Sequence, residues 1–219
     1  MAPQTVVFDL DGTLTDSEAG VVASYRHALD AWGIEADGDA IRPWLGPPLR
    51  DGFLALGLPP DEVDQAIRRY REYFSTQGIL QNELYPGIAP MLDALTEAGI
   101  TLAVATAKLE EYARQILDQF SISRHFRVVV GSTRDGRLLH KGEILERCLH
   151  LLGRPDSSTA VMVGDREHDV LAAIDLGVRP IGATWGYGTP AELLQAGADV
   201  LVESAPQLTN LLLYETPSR

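Results

Sequence analysis

Cysteine and basic residues are scarce in this chain of 219 residues. Its one cysteine, Cys148, excludes an internal disulfide and a cysteine-based zinc cluster. Cys148 stands at helical spacing among apolar neighbours, so we expect it to pack in a core. Lysine and arginine total 18 against 31 acidic residues, giving a net charge of -13. That charge would repel a phosphate backbone, which disfavours a nucleic acid polymer as partner.

Long apolar runs are also missing. Nowhere do about 18 apolar residues follow one another, as a membrane span requires. The N-terminal stretch has no basic flank followed by an apolar region, so we expect a cytoplasmic protein without a membrane partner. A small phosphorylated metabolite remains compatible with the charge, because a metal ion and a few local lysines act at short range. We expect such a metabolite as partner, and either a monomer or a homodimer.

Short β-rich runs alternate with amphipathic helical patterns through most of the chain. The predicted strands cover residues 5–10, 101–106, 127–130, 160–163, 178–184 and 199–202. Strands this short and apolar suit a parallel sheet that is covered on both faces. The fold class predicted is therefore α/β, with a Rossmann-like doubly wound parallel sheet as the core.

Residues 16–83 break this alternation. They contain no convincing strand, and their apolar residues repeat at helical spacing in two stripes, at 21–32 and 63–74. Pro/Gly clusters at 46–48 and 58–60 indicate turns between helices. We predict a small all-helical insertion at 16–83 and a core formed by 1–15 and 84–219.

The first strand ends in two carboxylates, Asp9 and Asp11. Ligands of open parallel sheets bind at the carboxyl ends of the strands, so both are placed for chemistry. Two anions this close repel each other unless a cation or a proton compensates. A magnesium ion would hold Asp9 ionised as a nucleophile, and Asp11 would act as general acid and base. The alternative, a simple Asp-Gly hairpin turn, does not require Asp9 at the end of the apolar run.

Other strand ends supply groups suited to the same task. Thr106 follows an apolar run, where its hydroxyl and neighbouring amides are suited to bind phosphate oxygens, or where it is a turn or cap residue. Asp165 directly follows another strand, and Asp169 lies four residues later on the same side of a predicted helix. The alternative for Asp169 is stabilisation of the helix N-terminus.

Lys141 opens a predicted helix, where a positive charge is unfavourable. A lysine at a position that disfavours positive charge suggests a functional role. The ammonium would neutralise a phosphoryl group and the nucleophile together. A solvated lysine is the alternative.

These four elements, in this order, resemble the motifs of the haloacid dehalogenase-like superfamily of phosphatases. The matching residues are the DxDGT run Asp9, Leu10, Asp11, Gly12 and Thr13; then Thr106; then Lys141; and the GDxxxD residues Gly164, Asp165 and Asp169. The stretches RPWLGPPLRDGF, ELYPGI, ATAK, HKGEIL, VGDREHD and TWGYGT are similar to the phosphoglycolate phosphatase and 5'-nucleotidase-like group.

The resemblance implies a phosphatase that forms an aspartyl-phosphate and uses Mg²⁺. It implies that the Asp9 carboxylate, the Asp11 carbonyl and Asp165 hold the metal, with Asp169 bound directly or through water. It also implies that residues 16–83 are a mobile cap. The expected substrate is a small phosphate ester such as phosphoglycolate or a 5'-nucleotide.

Substrate binding is predicted for Thr106, Ala107, Lys108, Lys141 and, in the insertion, Arg50. Arg42 and Trp44 are further candidates, although solvated or packing roles are the alternatives for the insertion residues.

Three other functions are alternatives to a phosphatase. A dehalogenase is disfavoured because that branch has no acid at the position of Asp11. A phosphomutase usually carries a histidine early in the first cap helix, where Val21 and Val22 stand here. A non-catalytic phospho-acceptor domain would be shorter and uncapped. Trp185 and Tyr187, in a Gly-rich loop, are predicted to pack within the loop, with lining of the site entrance as the alternative.

Overall fold

The computed structural model of the chain describes residues 3–214. Within them the chain forms two compact units, residues 3–14 with 84–214, called the core unit, and residues 15–83, called the helical unit. The strands are β1 (Thr5–Phe8), β2 (Thr15–Asp16), β3 (Glu83–Leu84), β4 (Thr101–Leu109), β5 (Phe126–Ser132), β6 (Ala160–Gly164), β7 (Arg179–Ala183) and β8 (Val200–Val202). The α-helices are α1 (Glu18–Leu29), α2 (Gly38–Ile41), α3 (Leu49–Ala55), α4 (Val63–Thr76), α5 (Ile88–Glu97), α6 (Glu110–Gln119), α7 (Lys141–Leu151), α8 (Glu167–Asp175), α9 (Pro190–Ala196) and α10 (Ala205–Tyr214).

The core unit is built on a six-stranded sheet in the order β5, β4, β1, β6, β7, β8. Its neighbouring strands run parallel. From the central strand β1 the chain adds β4 and then β5 on one side. It then returns to the other side of β1, where it adds β6, β7 and β8 in turn. The predicted α/β class with a doubly wound parallel sheet is therefore confirmed. The reversal of direction between β1 and β6 creates a crevice at their carboxyl ends, where such sheets bind ligands.

Strand register brings the polar strand ends to one edge of the sheet. Phe8 of β1 lies opposite Val104 of β4 and Val163 of β6. Just beyond, the amide N–H of Asp9 donates to the Val163 carbonyl over 2.9 Å. The residues that follow β1, the part of β4 beyond Val104 and the end of β6 consequently lie at the same level of the sheet.

Central strand β1 is apolar after Thr5 because both faces of the sheet are covered. Its residues Val6, Val7 and Phe8 are fully buried. Cys148 of α7 is a buried free thiol that packs in the same core cluster as Val7, as its helical spacing predicted. No helix within residues 3–214 is long and apolar enough to cross a membrane.

The helical unit contains α1 to α4, around buried aromatic side chains. The Tyr25 ring lies 4.8 Å from that of Phe53 and 5.2 Å from that of Tyr70, between ring centroids. The sequence missed β2 and β3, which pair as a separate two-stranded sheet. Two residues per strand are too few to show the alternation by which a strand is recognised.

The structure also differs from the prediction at β4. The predicted strand ends at Thr106, but β4 continues to Leu109, with a register irregularity between Thr106 and Leu109. Irregularities of this kind bend a strand and redirect its side chains.

Candidate active site

Asp9 directly follows β1, and its carboxylate is largely buried. Its Oδ1 lies 2.7 Å from Nζ of Lys141. Lys141 is the first residue of α7, and its side chain is only 7% exposed. The two residues are 132 positions apart in sequence, so this ion pair is a product of the fold.

The Lys141 ammonium is held by three oxygen atoms. Besides Asp9, it lies 2.7 Å from Oδ1 of Asp169 and donates to the Ala105 carbonyl over 3.1 Å. Burial disfavours the charged form, yet the pKa of Lys141 is raised because Asp169 and Asp9 surround the ammonium. Two carboxylates thus compensate for placing a cation at the N-terminus of α7.

Asp165 directly follows β6 and is fully buried. The Thr13 hydroxyl donates to its Oδ1 over 2.9 Å, and the Tyr187 amide N–H donates to its Oδ2 over 2.8 Å. Burial raises the pKa of Asp165 well above its ordinary value, and the neighbouring Asp169 and Asp9 raise it further. The two hydrogen bonds oppose this shift without cancelling it.

Asp169 lies in the first turn of α8, and its Oδ2 accepts from the Arg166 amide N–H over 3.2 Å. It therefore stabilises the helix N-terminus, as one reading of the sequence proposed, and contacts Lys141 with its other oxygen. Burial raises the pKa of Asp169, and the charge of Lys141 acts in the opposite direction.

These carboxylates form a group that could hold a metal ion. One oxygen each from Asp9, Asp165 and Asp169 lies within 4.8 Å of the others. Lys141 forms ion pairs with two of these three residues, Asp9 and Asp169, so the ionised cluster would carry more negative than positive charge in a buried place. Hard divalent cations prefer such carboxylate oxygens, so a divalent cation fits both the charge and the donor atoms.

The Asp11 carboxylate forms an ion pair with a different lysine, Lys108. Its Oδ2 lies 3.0 Å from Nζ of Lys108, and the two side chains are 15% and 7% exposed. Its Oδ1 is buried and has no hydrogen-bond partner among residues 3–214. The sequence placed Asp9 and Asp11 at one strand end but gave no sign that each would face its own lysine.

Thr106 and Ala107 lie in the irregular part of β4. Thr106 is buried, and its hydroxyl accepts from the Lys108 amide N–H over 3.3 Å, while Ala107 is half-buried. Since Phe8 lies opposite Val104, the residues two positions beyond this pair are Leu10 and Thr106. Thr106 is therefore adjacent to the acidic turn.

The predicted substrate residues of the insertion all belong to the helical unit. Arg50 is exposed and forms an ion pair with Asp64. Arg42, also exposed, lies 3.5 Å from Glu18, and Trp44 is half-buried.

Sequence reasoning missed the hydrogen bonds that support the turn after β1. It assigned no role to the Thr13 hydroxyl, which binds Asp165. For Trp185 it predicted loop packing or lining of the site entrance, and it missed the hydrogen bond that the indole N–H donates to the Thr13 carbonyl over 3.0 Å. No local pattern signals these contacts, because Thr13 and Trp185 are separated by 172 residues.

A doubly wound sheet that carries a buried acidic cluster and a lysine at its carboxyl edge is an arrangement found among α/β hydrolases. The chain belongs to the haloacid dehalogenase-like hydrolase family, whose model matches residues 6–183. The family predicted from the motifs is thereby confirmed, and the chain is an enzyme of this family with phosphatases among its relatives.

Two curated relatives illustrate the range of the family. A tyrosine-protein kinase named PtkA, from Mycobacterium tuberculosis, is 42% identical over 96% of this chain and 72% of that protein. A 5'-nucleotidase from Pseudomonas aeruginosa is 39% identical over 86% of each protein. Among solved structures, a predicted phosphatase from Clostridium acetobutylicum matches with a TM-score of 0.92 and 36% identity, over 97% of this chain and 99% of that one.

Proposed function

We propose that the protein is a magnesium-dependent phosphomonoesterase that hydrolyses a small phosphorylated metabolite through an aspartyl-phosphate on Asp9. The observation that carries the proposal is the buried cluster of Asp9, Asp165 and Asp169, in which Lys141 compensates only part of the charge. A carboxylate nucleophile beside a cation site and a lysine is suited to phosphoryl transfer, because the cation and the ammonium stabilise charge on the phosphoryl oxygens.

In the first step, an Asp9 oxygen would form a bond to phosphorus while the bond from phosphorus to the ester oxygen breaks. Asp11 would give its proton to the departing oxygen. In the second step, a water oxygen would attack phosphorus, Asp11 would take the proton of that water, and the bond to Asp9 would break. Inorganic phosphate and the alcohol are the products.

Residues at the carboxyl edge of the sheet would bind the phosphoryl group. The Thr106 hydroxyl, the Ala107 amide and the Lys141 ammonium would contact its oxygens. The Asp9 carboxylate, the Asp11 carbonyl, Asp165 and Asp169 would hold Mg²⁺, which would neutralise charge on the phosphoryl group. This assignment is supported by the oxygen donors and the excess negative charge of the cluster.

Lys108 supports a narrower class of substrate. It pairs with Asp11, the residue that would protonate the departing oxygen, so a buried ammonium stands beside the leaving-group position. A leaving group with its own negative charge would be attracted there. Phosphoglycolate, whose leaving group carries a carboxylate, fits this description, as does an ester with a further phosphate.

A second function is favoured by one specific observation, the similarity to a tyrosine-protein kinase at 42% identity. The phosphoryl group on Asp9 would then pass to a hydroxyl other than that of water. A sugar phosphomutase is less consistent with the chain, because Val21 and Val22 are buried at the start of α1, where that class usually has a histidine.

The deciding experiment is phosphate release from a panel of esters, with Mg²⁺ and with EDTA. The panel contains 2-phosphoglycolate, 5'-nucleotides, phenyl phosphate and phosphotyrosine. We expect multiple turnovers that need Mg²⁺. Asp9→Asn is the matched control, since an amide cannot form the acyl phosphate, and we expect its rate to fall about a thousandfold or more. Turnover that EDTA leaves unchanged, or that survives in Asp9→Asn, would overturn the proposal.

A further inference from the structure

A Gly-rich loop packs against the acidic site. This loop covers residues 184–189, the sequence TWGYGT after β7, and is called the clamp loop below. Its Trp185 side chain is half-buried and reaches the turn after β1, where its indole N–H donates to the Thr13 carbonyl over 3.0 Å.

Three hydrogen bonds close a ring through Asp165. The Thr13 side chain donates to one Asp165 oxygen over 2.9 Å, and the amide of Tyr187 donates to the other over 2.8 Å. Trp185, two residues before Tyr187, ties the main chain of Thr13 to the clamp loop. Both Asp165 oxygens are thus held by segments that Trp185 joins together.

The clamp loop lies so close that only glycine fits at two of its positions. A Cβ atom added at Gly186 would lie 2.2 Å from the Gly12 carbonyl oxygen and 2.5 Å from Cβ of Asp165. At Gly188, it would lie 2.0 Å from the Asp165 carbonyl oxygen. Backbone therefore packs directly on backbone, and a small shift of the clamp loop would be transmitted to Asp165.

We propose that Trp185 is a positioning residue that fixes the Asp165 carboxylate for cation binding by anchoring the turn after β1 to the clamp loop. The inference rests on the cation site of the proposed function. The physical reason is preorganisation, since a carboxylate already oriented by its neighbours loses little freedom when it binds a metal. Without the indole donor, the Thr13 turn can relax, and Asp165 then samples other orientations.

The test compares Trp185→Phe, which keeps an aromatic ring but removes the N–H donor, with Trp32→Phe in the helical unit as the matched control. Calorimetric titration of the metal-free proteins with Mg²⁺ alone measures affinity without turnover. We expect Trp185→Phe to bind Mg²⁺ roughly tenfold more weakly and the control to bind like the parent. At saturating Mg²⁺, kcat should return to near the parent value, because the reacting groups are unchanged.

A second pair of variants changes the hydrogen bond between Thr13 and Asp165. Thr13→Val removes the hydroxyl that binds Asp165, whereas Thr13→Ser keeps it. We expect Thr13→Val to weaken Mg²⁺ binding and Thr13→Ser to restore it. The double variant Trp185→Phe with Thr13→Val should lose less than the product of the two single losses, because both changes release the same carboxylate.

Unchanged Mg²⁺ affinity in Trp185→Phe would overturn the inference, as would a parent protein that binds no Mg²⁺. A lower melting temperature with unchanged affinity would leave Trp185 a purely structural role and would equally overturn it. The proposed function fails separately: a parent that binds Mg²⁺ but hydrolyses no ester refutes the phosphatase, while weaker Mg²⁺ binding by Trp185→Phe would still support the positioning role.

Discussion

Replacing Asp165 with asparagine should make the metal-free protein more stable, even though it removes a site residue. Asp165 is a fully buried carboxylate that shares a cluster with Asp9 and Asp169. Two unit charges within 4.8 Å of each other repel by at least about 3 kcal/mol at an effective dielectric constant near 20. Part of this repulsion is already offset by Lys141, so we expect a gain of about 1–3 kcal/mol, a rise of roughly 3–10 °C in Tm.

The hydrogen bonds of Asp165 survive this substitution. The side-chain oxygen of asparagine can accept from the Tyr187 amide, as Oδ2 does now. Its NH₂ group can donate to the Thr13 hydroxyl, which accepts as well as donates. The substitution therefore removes a charge and keeps one hydrogen bond to each of these two partners, with the donor and acceptor exchanged at Thr13.

The pH dependence of stability tests whether the charge of Asp165 destabilises the folded metal-free protein. The pKa of Asp165 is raised in the folded state, so its protonation stabilises the folded metal-free protein at low pH. That contribution is complete below the ordinary pKa of an aspartate and is lost as pH rises through the folded-state pKa. The advantage of Asp165→Asn over the parent should thus be largest at neutral or alkaline pH and should shrink on acidification.

Saturating Mg²⁺ should reverse the order of stability. A ligand at about a thousand times its Kd stabilises the folded state by about 4.1 kcal/mol, which exceeds the expected gain of the variant, and only the parent retains the full set of ligands. Calorimetric melting in EDTA and in Mg²⁺ measures both effects, with Asp61→Asn, an exposed carboxylate, as the control. A Tm of Asp165→Asn below that of the parent in EDTA would refute the reasoning about uncompensated charge.

Three further predictions concern the other charged groups of the site. Asp11→Asn should slow phosphate release about 10²–10⁴-fold in steady-state assays, and a parent-like rate would exclude Asp11 as acid and base. Lys141→Met should lower stability by about 3–5 kcal/mol in denaturant titrations, because the buried Asp9 and Asp169 lose their cation; an unchanged midpoint would contradict this. Lys108→Met should reduce kcat/KM for 2-phosphoglycolate about tenfold more than for phenyl phosphate, whereas equal losses would exclude selection of anionic leaving groups.

Much of the fold could be read from local patterns. Each of the six predicted strands exists in the main sheet. Short, mostly apolar runs such as TVVF are typical of strands whose sheet is covered on both faces. The same runs placed Asp9 at the carboxyl end of the first strand and Asp165 directly after another, although β1 ends at Phe8 and is shorter than the predicted strand 5–10. Where the signature is weak, prediction failed: β2 and β3 have two residues each, and β4 continues beyond Thr106 through an irregular stretch.

The sequence by itself determined the order of strands and helices along the chain and which acids and lysines stand at their ends, since periodicity and strand termination are properties of neighbouring residues. Only the tertiary structure decided which lysine meets which carboxylate, pairing Lys141 with Asp9 and Lys108 with Asp11. It also decided that Trp185 reaches a carbonyl 172 residues away. Such pairings depend on strand order, register and loop packing, which bring distant segments together and leave no trace in local spacing.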